Sequence, residues 1–324
     1  MTCLLFWCAK GDVFVEKILM KNDEAITFEE GCNLYLLNCR ERNLRQATIN
    51  HYRQSYTQFY KYFDRRMPLS EMNESKYTGY VLHLREELEN DVSINSYLRD
   101  LIATMRFLMG AGYVKQFSMK TIKVDKWTVE TYTEEELGLL LKKPNIKVCG
   151  FLEYECWVMT NFLFSTGIRQ RSLIHIRIGD IDLENGLVHV RVTKSRKPLV
   201  IPINKTMQSI LREYLRHRQY KKKDDPLFCN AYGEQLGRSS HYKMLASYNK
   251  KRGVETTGVH RYRHTFAKQW ILNGGNVVSL SKMLGHSNLS ITQNYINLLV
   301  TDLAKQVKEI NLLDKFAGKR RIKL

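Results

Sequence analysis

Apolar positions recur at three- and four-residue steps through the first third of the chain, the period of helices with one buried face. Phe28, Cys32, Tyr35, Leu36 and Cys39 form the first such face. It is headed by Thr27-Phe28-Glu29-Glu30, a capping box in which the threonine hydroxyl accepts from an amide of the first turn and the glutamate reaches back. A second helix follows Thr48, with Ile49, Tyr52, Tyr56, Phe59, Tyr60 and Phe63 on one side and Arg53, Lys61 and Arg65 on the other. A third runs from about Asn73 to Leu88 and turns Tyr77, Tyr80, Val81, Leu84 and Leu88 inward. A fourth begins after Ser93, carries Ile94, Tyr97, Leu98, Leu101, Met105 and Leu108, and stops at Gly110-Ala111-Gly112. These predict a small all-α bundle over residues 26–113. Its aromatic stripe is core rather than a stacking platform, because it falls on the apolar faces.

The pattern then changes. Residues 114–130 carry Lys115, Lys120, Lys123 and Lys126 with little apolar periodicity, which predicts an exposed basic linker. A second capping box, Thr133-Glu134-Glu135-Glu136, heads a helix with Leu137, Leu140 and Leu141, and another helix spans Glu153 to Ser165. Next the period drops to two. Ile176 to Leu183 reads as a strand and Glu184-Asn185-Gly186 as a turn. Val188, Val190 and Val192 alternate, a turn covers Lys194 to Lys197, and Leu199, Ile201 and Ile203 alternate again. This predicts a three-stranded antiparallel meander. From about Thr206 the chain returns to helices. The expected class is therefore mainly α with a small antiparallel β-meander: a four-helix domain, then a mixed α/β domain over residues 131–324. Residues 1–25 form an N-terminal extension to which the sequence assigns no role.

Charge narrows the function. Lys and Arg number 51 against 33 Asp and Glu, a net charge of +18, which points to a polyanionic partner, nucleic acid being the commonest. The seven cysteines are odd in number and show no C-x-x-C, so neither a disulfide framework nor a zinc ribbon fits. A reduced, cytoplasmic compartment is the natural inference. Cys32 and Cys39 lie on one helical face and read as core. The apolar start, Met1 to Cys8, is short and lacks a basic leader, and no stretch reaches the length of a membrane span.

The candidate chemistry lies in the second half, in Arg169, Lys194, His260, Arg263, His286 and Tyr295. Guanidinium forks match the non-bridging oxygens of a phosphodiester and stay charged at any working pH. A lysine at a hairpin tip is able to protonate a leaving oxygen. A phenol, with a pKa near 10, needs nearby cations and a base before it attacks, and histidines serve there. Each residue also has a bland reading: Arg169 as a cap on helix carbonyls, Lys194 as one of three basic residues that keep a turn soluble, His286 as a helix start. His260 and His264, four apart, also suit a metal pair, but no H-E-x-x-H supplies an acidic partner, and His264 reads as packing.

Taken jointly, these residues and the words around them resemble the tyrosine recombinase, or phage integrase, family, in its short Xer-type or mobile-element form. The words are Thr166-Gly167-Ile168-Arg169, His260-Arg261-Tyr262-Arg263-His264-Thr265-Phe266-Ala267 and Leu284-Gly285-His286-Ser287. The 23 positions from Arg263 to His286 and the nine from His286 to Tyr295 match the family's spacing. The resemblance runs from about Thr27 to about Leu299.

It implies a core-binding helical domain that forms half of a clamp on duplex DNA, and a catalytic domain in which Tyr295 becomes a 3′-phosphotyrosine. Lys194, as the first lysine of its turn, is implied as the proton donor. The resemblance implies no cofactor, metal or ATP. It also implies a homotetramer on two synapsed sites, resolved through a Holliday junction, with room for an accessory directionality factor. The apolar positions Leu298, Leu299, Leu303, Val307 and Ile310 are expected to dock into a neighbouring subunit, and Lys319, Arg320, Arg321 and Lys323 to contact phosphates. Integration or excision of a mobile element is the expected role. Xer-like dimer resolution, type IB topoisomerase-like relaxation and non-catalytic DNA binding are the alternatives. One position departs from the family: an acid usually stands three residues after the first arginine, and here Ser172 does.

Overall fold

The computed structural model describes residues 26–124, 130–286, Asn288 and Thr292. Tyr295, the apolar positions after it and residues 1–25 lie outside the described residues. The described chain divides into two compact units, one on each side of the 125–129 segment.

The first unit is built from α1 (Phe28–Glu41), α2 (Gln46–Tyr62), α3 (Glu74–Glu87) and α4 (Asp91–Gly110). Thr27 and Glu30 close the expected capping box on α1. Asn73 caps α3 and Asn90 caps α4, each with its side-chain oxygen on first-turn amides, so α4 starts earlier than its apolar period indicates. The aromatic stripe is core: Phe28 and Phe59 are fully buried and Phe63 nearly so. Cys32 and Cys39 sit in the same core.

The stretch expected to be an exposed linker is not one throughout. Val114 and Met119 are buried in the bundle core, with Phe117 and Ile122 packed against it. Asn95 grips the backbone of Ile122 from both sides, accepting from its amide at 3.0 Å and donating to its carbonyl at 2.9 Å. The Tyr77 hydroxyl donates to the Lys120 carbonyl at 2.8 Å. Four apolar side chains without helical spacing give no periodic signal, yet they strap residues 114–124 to α3 and α4 while the lysines keep to water.

The second unit contains α5 (Glu134–Leu141), α6 (Phe151–Thr166), α7 (Gln170–Leu173), β1 (Ile181–Asp182), β2 (Leu187–Val190), β3 (Leu199–Pro202), α8 (Lys205–His217), α9 (Arg238–Lys251), α10 (Val259–Leu272) and α11 (Val277–Leu284). Helix α6 is the axis of the core, apolar nearly all round and packed by α5, α8, α9 and α10. The Thr133–Glu136 capping box starts α5 as expected. The meander is antiparallel in the order β1-β2-β3, with Val188 opposite Ile201 and both fully buried.

Its first strand is far shorter than the Ile176–Leu183 reading. The Ile178 and Gly179 amides donate to the Asp225 and Lys223 carbonyls, and the Asp180 carboxylate takes the Arg177 amide, folding Ile178–Asp180 into a 3-10 turn. These partners belong to the loop after α8, so an apolar run that looks like a strand spends its backbone donors elsewhere.

Candidate active site

The end of α6 sets the first arginine. Gly167 closes the helix in the left-handed region at φ 59°, and a Cβ there would stand 2.5 Å from Phe266 Cδ1 on α10 and 2.8 Å from Leu284 Cδ2 on α11. Glycine is thus required for both conformation and space, and it lets three helices meet within a side chain's width. Buried Ile168 follows, and Arg169 then caps α7.

Two guanidinium groups converge on one backbone carbonyl. Arg169 Nη1 donates to the Leu284 carbonyl at 3.1 Å and to the Gly285 carbonyl at 3.3 Å. Arg263, on the first turns of α10 and nearly fully buried, donates through Nη2 to the same Leu284 carbonyl at 2.8 Å and through Nη1 to the Gly167 carbonyl at 2.8 Å. Its Nη2 also reaches His286 Nε2 at 2.7 Å. Gly285, at φ 60°, ends α11 and turns His286 back toward α10. The arginines, 94 positions apart in the sequence, therefore share an anchor at the end of α11.

Arg263 is a donor only, so His286 Nε2 must accept and Nδ1 must carry the ring proton. That proton points at the Thr292 hydroxyl, 2.8 Å away and fully buried. Burial first, then the Arg263 and Arg169 charges, push the His286 imidazole down to about 4. Burial, then Arg263, Arg169 and Lys194 in that order, lower His260 as well. His264, one turn on, is held at about 4 by burial and by the His260 and Arg263 charges. Near neutral pH all three rings are thus uncharged, which a proton acceptor must be. At pH 7 the His286 ring should give the Nδ1-H neutral signature in long-range ¹H–¹⁵N NMR and titrate only near pH 4. An imidazolium or Nε2-H signature at pH 7 would contradict the arrangement.

Lys194 stands exposed in the loop between β2 and β3, and its charge reaches His260. The structure thus brings Arg169, Arg263, His260 and His286 around the α6, α10 and α11 ends, with Lys194 on the neighbouring loop. Tyr295 lies outside the described residues, three positions beyond Thr292.

Ser172, the departure from the family pattern, is buried, and its hydroxyl donates to the Val192 carbonyl at 2.8 Å. The nearby acids serve elsewhere. Asp180 pairs with Arg191 Nε at 2.6 Å, and Asp182 caps the β1–β2 turn through the Glu184 and Asn185 amides. Sequence reasoning missed Thr292 and Gln170. The latter ties α7 to α9 by donating to the Arg238 carbonyl at 3.1 Å, with His241 Nδ1 at 3.2 Å. Only its place between His286 and Tyr295 hints at the first, and nothing local hints at the second.

Known proteins place the chain in a family. Residues 130–301 match the model of the phage integrase family. The tyrosine recombinase XerD of Listeria monocytogenes is 27% identical over 281 residues, which cover 82% of this chain and 94% of that protein. The tyrosine recombinase XerA of Pyrococcus furiosus is 30% identical over 205 residues, 62% of this chain and 68% of that one. Among solved structures, the Tn1549 transposon integrase in complex with a circular intermediate DNA shares the fold. Its TM-score is 0.69 at 21% identity, covering 82% of this chain and 94% of that one. With more than half its length matched, this chain belongs to the phage integrase family, the tyrosine recombinases.

Proposed function

We propose that this chain, a tyrosine recombinase acting in site-specific DNA recombination, cleaves and rejoins duplex DNA through a 3′-phosphotyrosine on Tyr295. The observation that supports this most is the convergence of Arg169 and Arg263 on the Leu284 carbonyl beside two neutral histidines. Two forks with a common anchor form a socket for one tetrahedral anion.

The steps follow from the groups present. The Arg169 and Arg263 guanidinium groups hold the non-bridging oxygens as charge builds on them. The Tyr295 oxygen bonds to phosphorus while its proton passes to the His260 imidazole. His286, the other histidine candidate, has its Nε2 lone pair on Arg263 and its Nδ1 proton on Thr292, and so braces the arginine instead. The bond from phosphorus to the 5′-oxygen breaks, and Lys194 gives that oxygen a proton. The ester conserves the bond energy, so a 5′-hydroxyl from a partner strand reverses the steps without ATP.

In this reading the helical unit grips duplex DNA with the catalytic unit, in keeping with the net charge of +18. Two sites synapse in a homotetramer joined through the C-terminal segment, and strands exchange in pairs through a Holliday junction. Movement of a mobile element, with an accessory directionality factor, in the cytoplasm and on the nucleoid, is the biological setting proposed. Among the described residues no helix is long and apolar enough to cross a membrane.

The test uses the full chain, duplexes drawn from the DNA flanking its own gene, EDTA and no ATP. A covalent adduct should form, and mass spectrometry of the digested product should place a nucleotide remnant on the peptide spanning Ser290 to Leu298. Strand scission with that peptide unmodified, or loss of turnover on adding EDTA, refutes the mechanism.

A further inference from the structure

We infer that Ser172 is a positioning residue for the loop that carries Lys194: its hydroxyl, donating to the Val192 carbonyl, fixes the root of that loop and so the placement of the proton donor. The inference rests on the reading of Lys194 given above and goes beyond it in naming what holds that lysine.

The geometry has three parts. The last ladder pair between β2 and β3 is Val190 with Leu199, so the Val192 carbonyl lies beyond the sheet, where no strand partner reaches it. Ser172 meets it there at 2.8 Å from a site only 6% exposed. Second, the loop is closed from within one residue further on. The buried Thr193 hydroxyl donates to the Lys197 carbonyl at 2.7 Å, so Lys194, Ser195 and Arg196 form a tip whose base is pinned at Val192 and Thr193. Arg196 takes φ 61° in that tip, a left-handed turn conformation uncommon for a residue with a side chain.

Third, Ser172 sits on the same short helix that Arg169 caps, and the Leu173 amide donates to the Arg169 carbonyl at 3.0 Å. One turn of α7 therefore sets both the phosphate-facing arginine and the root of the lysine loop. An ionised carboxylate at this position has no proton to donate to a carbonyl, so the hydroxyl is suited to this contact and the acid common in the family is not.

The test has two arms, both on the full chain with Ser172→Ala. In the first, hydrogen exchange is followed amide by amide. Residues 193–197 should exchange about tenfold faster, with α6 and α10 unchanged. A uniform rise across the unit, or no rise, overturns the anchor. The second arm uses two nicked duplexes carrying the cleavage position mapped from the adduct, one with the natural 5′-bridging oxygen and one with sulfur there.

A thiolate leaves without a proton donor, because its conjugate acid is far stronger than an alcohol. The variant should be slower by about tenfold on the oxygen substrate and within about twofold of the unaltered chain on the sulfur one. Equal loss on both, or no loss on either, means that Ser172 does not act through Lys194. If the unaltered chain forms an adduct on neither duplex, the recombinase reading fails, while the exchange arm still decides whether Ser172 anchors the loop.

Discussion

Replacing Arg263 with alanine should slow covalent-adduct formation by about a thousandfold, the scale on which pre-aimed donors act in transition states. It should also lower the melting temperature. Arg263 is 4% exposed and donates to the Gly167 carbonyl, the Leu284 carbonyl and His286, all within 2.8 Å. Alanine leaves these acceptors facing a hole, at a cost of about 3 kcal/mol for the set. The loss of rate and the loss of fold therefore come from the same atoms, and the alanine variant alone does not separate them.

Arg263→Lys does. An ammonium keeps the charge but, as a compact point donor, does not bridge three acceptors spread over the ends of α6 and α11. The lysine variant should regain part of the lost melting temperature while its rate stays at least a hundredfold down. Thermal denaturation and a single-turnover adduct assay measure the two quantities. A lysine variant that recovers both rate and stability would reduce Arg263 to a charge, and an alanine variant within tenfold of the unaltered rate would remove it from the reacting centre.

Helix starts were legible in the sequence because they are local. Thr27 and Glu30, or Thr133 and Glu136, satisfy each other within one turn, and the capping boxes appear where the motif places them. The bundle core was legible because a 3.6-residue period leaves the same face buried whatever it packs on. The strand reading of Ile176 to Leu183 ran too long, since only Ile181–Asp182 pairs, for the opposite reason. The donors that decide it meet acceptors more than forty positions away, on Lys223 and Asp225. The strapping of residues 114–124 depends likewise on Asn95 and Tyr77.

The candidate site shows the same division. Arg169, His260, Arg263 and His286 were identifiable from words and spacing, because their residue types are fixed by what they would do to a phosphate. The Leu284 carbonyl that gathers the two arginines was not, since any residue supplies a carbonyl. Ser172 was noticed only as a missing acid, and its hydroxyl gained meaning once the Val192 carbonyl stood opposite it.

Glu155 was the least visible residue of all, an acid within an ordinary helical run, and it carries the largest expected effect on folding. It lies on α6, fully buried. Its Oε1 accepts from the Tyr214 hydroxyl and from the Cys229 amide, both at 2.8 Å, while no hydrogen-bond partner meets Oε2 among the described residues. Burial pushes the carboxyl up from 4.5 to about 7, against the lowering effects of the Cys229 amide, the Tyr214 hydroxyl and the Arg218 charge.

A raised folded-state pKa means that the native chain binds the proton more tightly than the unfolded one. The resulting stability is fully present below the unfolded value of 4.5 and is lost as pH rises through about 7. The difference amounts to about 3 kcal/mol between pH 4 and pH 8.5. Glu155→Gln keeps an oxygen for Tyr214 and Cys229 but never ionises. It should match the unaltered chain near pH 5 and exceed its unfolding free energy by 2 to 3 kcal/mol, roughly, at pH 8.5. Urea denaturation of both chains at the two pH values reads this directly, because every other titrating group cancels in the difference. A glutamine variant with the same offset at both values would show that the carboxyl does not change protonation between them, and that water or the Arg218 guanidinium keeps it ionised in the core.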